Sequence, residues 1–436
     1  MDKTILPHRF SGTVQVPASK SHTIRALLLA SVAEGISRLD YPLDSLDARS
    51  CMAACRVFGA KIEEVTEDGV LRGLVVTGNP PEKWDDAPKT IDAGNSGTTL
   101  FFCLAFAALG KAAVTFTGDA QIAARSAAPL LDALTALGAE VTSRNGCTPV
   151  TVRGPLRGGR VTLPCPTSQY LSALLLALPL CPPGVTTEIN IPLLNELPYI
   201  KMTLAYLRKY LGNDPINGAD SGGVAGVTLP ADWTVPATVT IRGGGRYRAF
   251  NTRVTGDFSS AAFPACAGAV SGGDVRLEGL DFDDEQGDKV FFDLLAKAGK
   301  GRSQAPLAPL APLGEVDLNA TPDLLPIAAV LACYGAGETR LVNVAHARIK
   351  ETDRIAVMRE ELAKLGADIA ELPDGLVIHG GKQLRGGYVD GRHDHRIVMA
   401  LAVAALGADG PVTIAGAEAA DVTYPAFPIW PPAVEA

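Results

Sequence analysis

The sequence predicts an α/β protein of two similar domains, each built from three related units around buried helices. Two observations support this fold class. A small polar turn that leads into an apolar, Ala- and Leu-rich helix occurs six times in the 436 residues,. Amphipathic helices and short β-rich runs alternate with these copies, which is typical of helices that cover sheets.

The first copy starts with a polar turn over residues 19–23 and continues as an apolar helix that carries Arg25 and ends near Gly35. Ser19 is a preferred helix cap. Lys20 and Arg25 would add two cations to the partial positive charge of a helix N-terminus, and this predicts a seat for phosphate or carboxylate. Taken alone, the same pattern also fits a capped core helix with two surface cations.

Repetition of the pattern favours the functional interpretation. The other copies start roughly 65–90 residues apart, at Asn95, Thr167, Gly256, Thr321 and Asp394. Helices that are apolar all round are buried. If three pack side by side in each domain, their N-termini emerge on one face, and two opposed faces would form an anion-binding cleft. An ordinary α/β protein with Ala-rich helices is the alternative.

The amphipathic helices predicted between the copies end in a Gly-containing stop before a strand. They are expected near residues 51–59, 130–138, 202–212, 291–299 and 358–366,.

Composition excludes several function classes. The net charge is −8 and no Lys/Arg cluster of five occurs, so nucleic acid is not an expected partner,. The first ten residues do not resemble a signal peptide, and no apolar run reaches the length of a membrane helix, so a cytosolic protein is expected,. The eight cysteines form no Cys-x-x-Cys pair, which indicates free thiols rather than zinc ligands or disulfides,.

Charged residues concentrate where the helices begin. Residues 350–354 read Lys-Glu-Thr-Asp-Arg, and residues 393–396 read His-Asp-His-Arg. His-x-His can ligate a metal, but no further cluster completes a coordination sphere, so a helix cap with a cation is favoured. Arg125 is expected in a loop after a strand. Asp323 is expected in the first turn of a buried helix, either as a capping charge or as a general base.

These motifs together resemble the 5-enolpyruvylshikimate-3-phosphate synthase family over essentially the whole chain. Their order and spacing match, and Lys-Glu-Thr-Asp-Arg with Asp-His-Arg is highly specific. The resemblance implies the enolpyruvyl transferase fold, in which each domain has three βαβαββ units around buried parallel helices. It implies one domain over residues 18–253 and a second over residues 1–17 and 254–436, with the active site in the cleft between them.

The resemblance also implies a reaction. The enolpyruvyl group of phosphoenolpyruvate is transferred to the 5-hydroxyl of shikimate 3-phosphate, and phosphate is released, without a metal or organic cofactor. Asp323 would be the base for the hydroxyl, and Glu351 with Lys20 would protonate and deprotonate the methylene carbon. The implied shikimate 3-phosphate ligands are Lys20, Ser21, Arg25, Thr167, Ser168, Gln169, Tyr199, Asp323 and Lys350. The implied phosphoenolpyruvate ligands are Lys20, Gly97, Arg125, Gln169, Arg354 and Arg396. The family is usually monomeric.

The chain departs from the family pattern mainly on the phosphoenolpyruvate side. Phe101 and Gln121 stand where the family often has Arg, Val422 stands where it has Lys, and His346 replaces an Asn or Ser. The loss of cations predicts weaker binding of phosphoenolpyruvate, while the acceptor residues are nearly intact.

Three alternatives follow from the same residues. The sister reaction on UDP-N-acetylglucosamine uses a Cys in the loop over residues 118–126, which here contains none. A carboxyvinyl transferase acting on another cyclic hydroxy acid is a second alternative. A non-catalytic ligand-binding paralogue is the third, although Lys20, Asp323, Glu351 and Arg354 together argue against it.

Overall fold

The computed structural model describes residues 1–212, 224, 226–299 and 310–430. The chain divides into two compact units, one formed by residues 18–255 and the other by residues 1–17 together with 256–436. Each unit has its own hydrophobic core. We call them the inserted unit (residues 18–255) and the split unit.

The inserted unit contains seven helices among its described residues. They are α1 (Lys20–Val32), α2 (Leu46–Val57), α3 (Gly97–Ala107), α4 (Ala120–Ala124), α5 (Ala128–Ala136), α6 (Ser168–Ala177) and α7 (Leu197–Tyr210).

The strands of the split unit that precede the insertion are β1 (Lys3–Ile5) and β2 (Gly12–Gln15). Those of the inserted unit are β3 (Ile36–Asp40), β4 (Lys61–Glu67), β5 (Val70–Thr77), β6 (Lys89–Asp92), β7 (Val114–Thr117), β8 (Glu140–Arg144), β9 (Cys147–Arg153), β10 (Gly159–Thr162), β11 (Thr186–Ile191), β12 (Leu211–Gly212), β13 (Val227–Thr228), β14 (Ala237–Arg242), β15 (Arg246–Tyr247) and β16 (Asn251–Arg253).

Three sheets of the inserted unit share one topology. Their strand orders are β16-β3-β5-β4, β6-β7-β9-β8 and β10-β11-β14-β13. In each, the first pair is parallel and the other two pairs are antiparallel. The three related units predicted for this domain are therefore present.

Two of these sheets close their outer hairpin with the same turn chemistry. Asp68-Gly69 joins β4 to β5, and Asn145-Gly146 joins β8 to β9, with positive φ at all four residues. Asp and Asn tolerate this left-handed region and Gly adopts it freely, which is why such dipeptides favour tight hairpins.

The remaining helices and strands belong to the split unit. They are α8 (Phe258–Ser271), β17 (Val275–Glu278), α9 (Val290–Lys297), β18 (Gly314–Asp317), α10 (Leu325–Tyr334), β19 (Gly337–Val342), α11 (Arg354–Lys364), β20 (Ile369–Leu372), β21 (Gly375–Gly380), β22 (Gly387–Asp390), α12 (His395–Leu406) and β23 (Val412–Ala415). Its sheets have the orders β18-β19-β21-β20, β1-β23-β22 and β17-β2 within the described residues.

The six Ala- and Leu-rich segments form α1, α3, α6, α8, α10 and α12, three in each unit. Their side chains are buried on nearly every face, as the sequence predicts. Burying one Leu or Ile stabilises a fold by about 1.5–3 kcal/mol, so packing rather than helix propensity holds these helices in place. The residues at their starts are thereby fixed against a rigid core.

Capping follows the sequence at five of the six starts. The side chains of Ser19, Ser96, Thr167, Asp257 and Asp394 accept hydrogen bonds from the first turn of their helices. The cap predicted at Thr321 is wrong, because its side chain makes no capping hydrogen bond. Residues Pro322–Leu324 form a 3-10 turn that leads into α10 instead.

Candidate active site

The start of α1 carries Lys20 and Ser21. The polar turn expected over residues 19–23 is wrong in its extent, since the helix already begins at Lys20 behind the cap Ser19. The Nζ atom of Lys20 lies 3.0 Å from Oδ2 of Asp47, on α2. This ion pair is largely shielded from solvent and holds the ammonium at the helix start.

Arg25 lies one turn further along α1 and is 2% exposed. It donates to Oγ1 of Thr203 (2.9 Å) and to the backbone oxygens of Ser21 (3.0 Å) and Tyr199 (3.2 Å). Burial lowers the pKa of Arg25 to about 10, because the charged form loses its hydration,. The side chain stays cationic at neutral pH and joins Ser21 and Tyr199, two of the predicted acceptor ligands.

Thr167, Ser168 and Gln169 form the start of α6, where backbone N–H groups lack helical acceptors,. A carboxylate already occupies this start. Oε2 of Glu196 accepts from the Ser168 backbone N–H (2.9 Å), from Oγ of Ser168 (2.7 Å) and from Oγ1 of Thr167 (3.1 Å). Glu196 is 2% exposed, and the sequence analysis did not identify it.

Gly97, Arg125 and Gln169 come together at the start of α3. A Cβ atom on Gly97 would lie 2.9 Å from Nη1 of Arg125 and 3.9 Å from Oε1 of Gln169. Gln169 donates to Oγ1 of Thr98 at 2.7 Å. Arg125 lies in the loop that follows the short helix α4, where it is the C-cap, and it is half-buried.

The positions that depart from the family pattern are filled by other contacts. Phe101 is buried and meets Tyr170 edge to face, with ring centroids 5.1 Å apart. Gln121 accepts a hydrogen bond from the side chain of Asn95. His346 and Val422 are buried in 3-10 turns of the split unit.

Arg354 is the centre of the charged cluster in the split unit. It is 1% exposed, and its guanidinium donates to Asp323 (2.8 Å), Glu351 (2.5 Å) and Asp394 (2.8 Å). Burial alone would lower the pKa of Arg354, but the carboxylates of Asp394, Glu351 and Asp323 raise it. Arg354, the first residue of α11, thus links the 3-10 turn before α10, the residues just before α11 and the cap of α12.

Asp323 lies between two guanidinium groups. Its Oδ1 accepts from Arg354 and its Oδ2 accepts from Arg396, each at 2.8 Å. Burial opposes ionisation, but Arg396, Arg354 and Lys350 hold the pKa of Asp323 well below its usual range. The predicted base is therefore a charged carboxylate at neutral pH.

Asp288 is a further buried carboxylate that the sequence analysis missed. Oγ of Ser259 donates to its Oδ2, while its Oδ1 has no hydrogen-bond partner within the described part of the chain. Burial, together with the charge of Asp323, raises the pKa of Asp288 to about 7. The cluster thus contains Asp288, Asp323, Glu351 and Asp394 with the cations Lys350, Arg354 and Arg396.

Among residues 1–212, 224, 226–299 and 310–430, no group of three or more His, Cys, Asp or Glu side chains could hold a metal ion.

Solved structures with the same fold define the class. The EPSP synthase of Acinetobacter baumannii is 25% identical, with a TM-score of 0.74 over 98% of this chain and 96% of that one. A second structure of that enzyme gives the same TM-score at 24% identity. The chain thus has the enolpyruvyl transferase fold, as predicted.

Sequence comparison then assigns the family. The model of the EPSP synthase (3-phosphoshikimate 1-carboxyvinyltransferase) family matches residues 6–429. The 3-phosphoshikimate 1-carboxyvinyltransferase of Acetivibrio thermocellus is 47% identical over 424 residues, which cover 96% of this chain and 94% of the relative. That of Ruminiclostridium cellulolyticum is 43% identical over 431 residues, with the same two shares. The chain belongs to the EPSP synthase family, and the resemblance seen in the sequence is confirmed.

Proposed function

We propose that this chain transfers the enolpyruvyl group of phosphoenolpyruvate to the 5-hydroxyl of shikimate 3-phosphate, as its family relatives are named to do. The products are 5-enolpyruvylshikimate 3-phosphate and phosphate, a step of the shikimate pathway towards chorismate. The proposal rests on the observation that Asp323 is an ionised carboxylate which accepts hydrogen bonds from two arginines. Such a group can take a hydroxyl proton while cations at its side bind an anionic reactant.

We assign the residues to the two reactants as the family resemblance implies. Ser21, Arg25, Thr167, Ser168, Gln169 and Tyr199 bind shikimate 3-phosphate, together with Lys350 and Asp323. Gly97, Arg125, Gln169, Arg354 and Arg396 bind phosphoenolpyruvate, and Lys20 contacts both. The support is that Arg25 connects Ser21 and Tyr199, and that Gly97, Arg125 and Gln169 are neighbours.

In the addition step, the 5-hydroxyl loses its proton to Asp323 and its oxygen bonds to C2 of phosphoenolpyruvate. The methylene carbon takes up a proton, for which Glu351 with Lys20 is the donor. In the second step the phosphate leaves C2 and Glu351 removes a proton from the methyl carbon, which restores the double bond. Cationic side chains stabilise the negative charge throughout, so the proposed reaction uses no metal or organic cofactor.

Binding of phosphoenolpyruvate would also change the basicity of Asp323. While Arg354 and Arg396 both donate to Asp323, they hold its pKa low and make it a weak proton acceptor. An anionic donor that takes up part of their hydrogen-bonding capacity would raise the pKa of Asp323. The base would then strengthen only when phosphoenolpyruvate is bound.

The test is phosphate release from phosphoenolpyruvate with and without shikimate 3-phosphate. Asp323→Asn is expected to lower acceptor-dependent release by about 10²–10⁴-fold, the range for loss of a general base. Asp317→Asn, at the end of β18, is the matched control and should retain activity. If the native chain shows no acceptor-dependent release, the proposal is wrong.

A second measurement isolates the role of Glu351. Native enzyme in deuterated water should exchange the methylene hydrogens of phosphoenolpyruvate when the acceptor is present. Glu351→Gln should lose this exchange, because the proton donor is gone. Exchange at the native rate would assign protonation of the methylene carbon to another residue.

Weaker donor binding than in typical family members is also proposed, because Phe101 and Val422 supply no cation. The Michaelis constant for phosphoenolpyruvate tests it, and a value equal to that of the Acetivibrio thermocellus relative would contradict it.

We further propose a cytoplasmic monomer that binds no nucleic acid and no membrane. All eight cysteines are free thiols and seven are buried, which suits a reducing compartment,. No helix among the described residues has the length and apolarity needed to cross a bilayer. Light scattering of the purified chain measures the oligomeric state.

A further inference from the structure

We infer that Glu196 is a specificity-determining residue whose carboxylate competes with the acceptor's phosphate for the start of α6. This inference rests on the proposed function, in which Thr167 and Ser168 bind shikimate 3-phosphate. The carboxylate must leave before the phosphate can take the same hydrogen bonds.

Glu196 already accepts the hydrogen bonds of the donors at the start of α6. Oε2 of Glu196 accepts from one backbone N–H and two hydroxyl groups, and all three distances are between 2.7 and 3.1 Å. Phosphate and carboxylate groups both bind at helix starts of this kind. Because these donors belong to Thr167 and Ser168, two of the proposed shikimate 3-phosphate ligands, Glu196 and the acceptor's phosphate would compete for them.

The negative charge of Glu196 also opposes the binding of a phosphate near Arg25. Glu196 contributes to the potential at Arg25, whose pKa its negative charge raises against the effect of burial. A phosphate that approached with Glu196 still in place would meet a second anion in a poorly hydrated site. Like charges in such surroundings repel strongly, so the cation field near Arg25 serves the ligand only after the carboxylate has moved.

Local backbone geometry fixes the position of Glu196 beside the start of α6. Glu196 has φ of 60°, a left-handed conformation that a non-glycine residue adopts at a cost,. The preceding residue is anchored, since its backbone N–H donates to the oxygen of Cys165 (3.1 Å) and its side chain donates to the oxygen of Pro166 (3.2 Å). The backbone at Glu196 is thus held beside α6, so the hydrogen-bond donors there become available to a ligand only if the Glu196 side chain turns away from them.

The consequence is a lower apparent affinity for the acceptor. When only a fraction of molecules has the donors available, the apparent dissociation constant rises by the inverse of that fraction. The rise in the dissociation constant applies to acceptors that carry an anionic group at this position. An acceptor without the phosphate does not compete with Glu196 and is not affected. Glu196 therefore narrows the affinity difference between shikimate 3-phosphate and shikimate.

Calorimetric titration with shikimate 3-phosphate and with shikimate tests the inference without requiring turnover. Glu196→Gln keeps the shape and the acceptor oxygen but removes the charge, and Glu196→Ala removes both. Both variants are expected to bind shikimate 3-phosphate at least tenfold more tightly than the native chain. Their affinity for shikimate should stay close to the native value, because shikimate carries no phosphate that competes with Glu196.

Glu188→Gln is the control for loss of one negative charge, because Glu188 lies on β11 of the same unit and is substantially exposed. It should leave the affinity for shikimate 3-phosphate unchanged. Unchanged or weaker binding of shikimate 3-phosphate by both folded Glu196 variants would overturn the inference and make Glu196 a structural acceptor for α6. Absence of turnover in every protein, with the tenfold gain in binding intact, would instead overturn the proposed function and support the role of Glu196.

Discussion

Two buried arginines, one in each unit, are held in opposite ways. Arg25 donates to a hydroxyl and two backbone carbonyls, all neutral, and its pKa is lowered. Arg354 donates to three carboxylates, and its pKa is raised. Both are almost fully buried, so burial is not what distinguishes them.

The two arginines differ in how much of their positive charge can still act on a ligand. A buried cation held by neutral oxygens keeps its field and can act on an anion that enters. A buried cation surrounded by carboxylates is largely neutralised, and its main effect falls on those carboxylates. We therefore expect loss of Arg25 to act chiefly on ligand affinity, and loss of Arg354 to destabilise the cluster and change the state of Asp323 in addition to weakening phosphoenolpyruvate binding.

The largest expected effect comes from removing Arg354. Arg354→Met leaves Asp394 and Glu351 buried without their cation, which should cost about 3–5 kcal/mol in free energy of unfolding. Arg25→Met is the matched variant, and there the loss should be about 1–2 kcal/mol, because the carbonyls of Ser21 and Tyr199 keep their own helical hydrogen bonds. Urea denaturation measures both. Equal losses would abolish the distinction between the two arginines.

A smaller effect is expected at Asp288 and depends on pH. Its folded pKa, about 7, lies above the unfolded value of about 4, so the folded state holds the proton more tightly,. The free energy of unfolding therefore falls as pH rises from about 4 to 7, and this loss is complete above pH 7. Asp288→Asn removes it, so the variant should be more stable than the native chain by about 1–3 kcal/mol at pH 8 and nearly equal to it at pH 4.

The control for this measurement is Asp274→Asn, an exposed position of the same unit. Denaturation of the three proteins between pH 4 and 8 gives the comparison. A stability difference at Asp288 that does not vary with pH would mean that its carboxyl stays ionised throughout, and that the split unit tolerates its excess of carboxylates without protonation.

The smallest effect is expected at Thr203. Thr203→Val keeps the side-chain shape but removes the oxygen that accepts from Nε of Arg25, at a cost of about 1–2 kcal/mol,. In the Arg25→Met background the same change should cost less, because the bond from Arg25 is already gone, while the hydroxyl's contacts with Ser172 (2.9 Å) and Tyr199 (3.0 Å) are lost in both backgrounds. A double-mutant cycle by urea denaturation measures this coupling, and additive losses would show that Arg25 does not depend on the hydroxyl.

Much of the fold could be predicted from the sequence because it depends on local pattern. Helices that are apolar all round must be buried, and short polar side chains at their starts cap them, so the existence of α1 and α6 as buried helices could be predicted from the sequence. Boundaries were less certain. The α1 helix includes Lys20 because capping by Ser19 satisfies the first turn earlier than the polar sequence indicates.

The chemistry of the candidate site was only partly predictable, because its contacts join residues far apart in sequence. Asp394 was predicted as a cap and Arg354 as a ligand, but nothing in the sequence pairs the two. Glu196 precedes Leu197-Pro198 and looks like an ordinary loop residue, and Asp288 looks like a surface acid. A carboxylate that lacks a nearby Lys or Arg in sequence is a weak signal, and only the tertiary structure reveals its partner.

The route of the chain through its two units has a consequence for synthesis. Strand β2 pairs with β17, and β1 pairs with β23, so partners lie about 260 and 410 residues further along the chain. The inserted unit is complete before either partner has left the ribosome. Because domains generally fold as they emerge, residues 18–255 should fold first, while the earliest strands wait unpaired. Strands β1 and β2 are thus translated before the inserted unit but are among the last elements to pair.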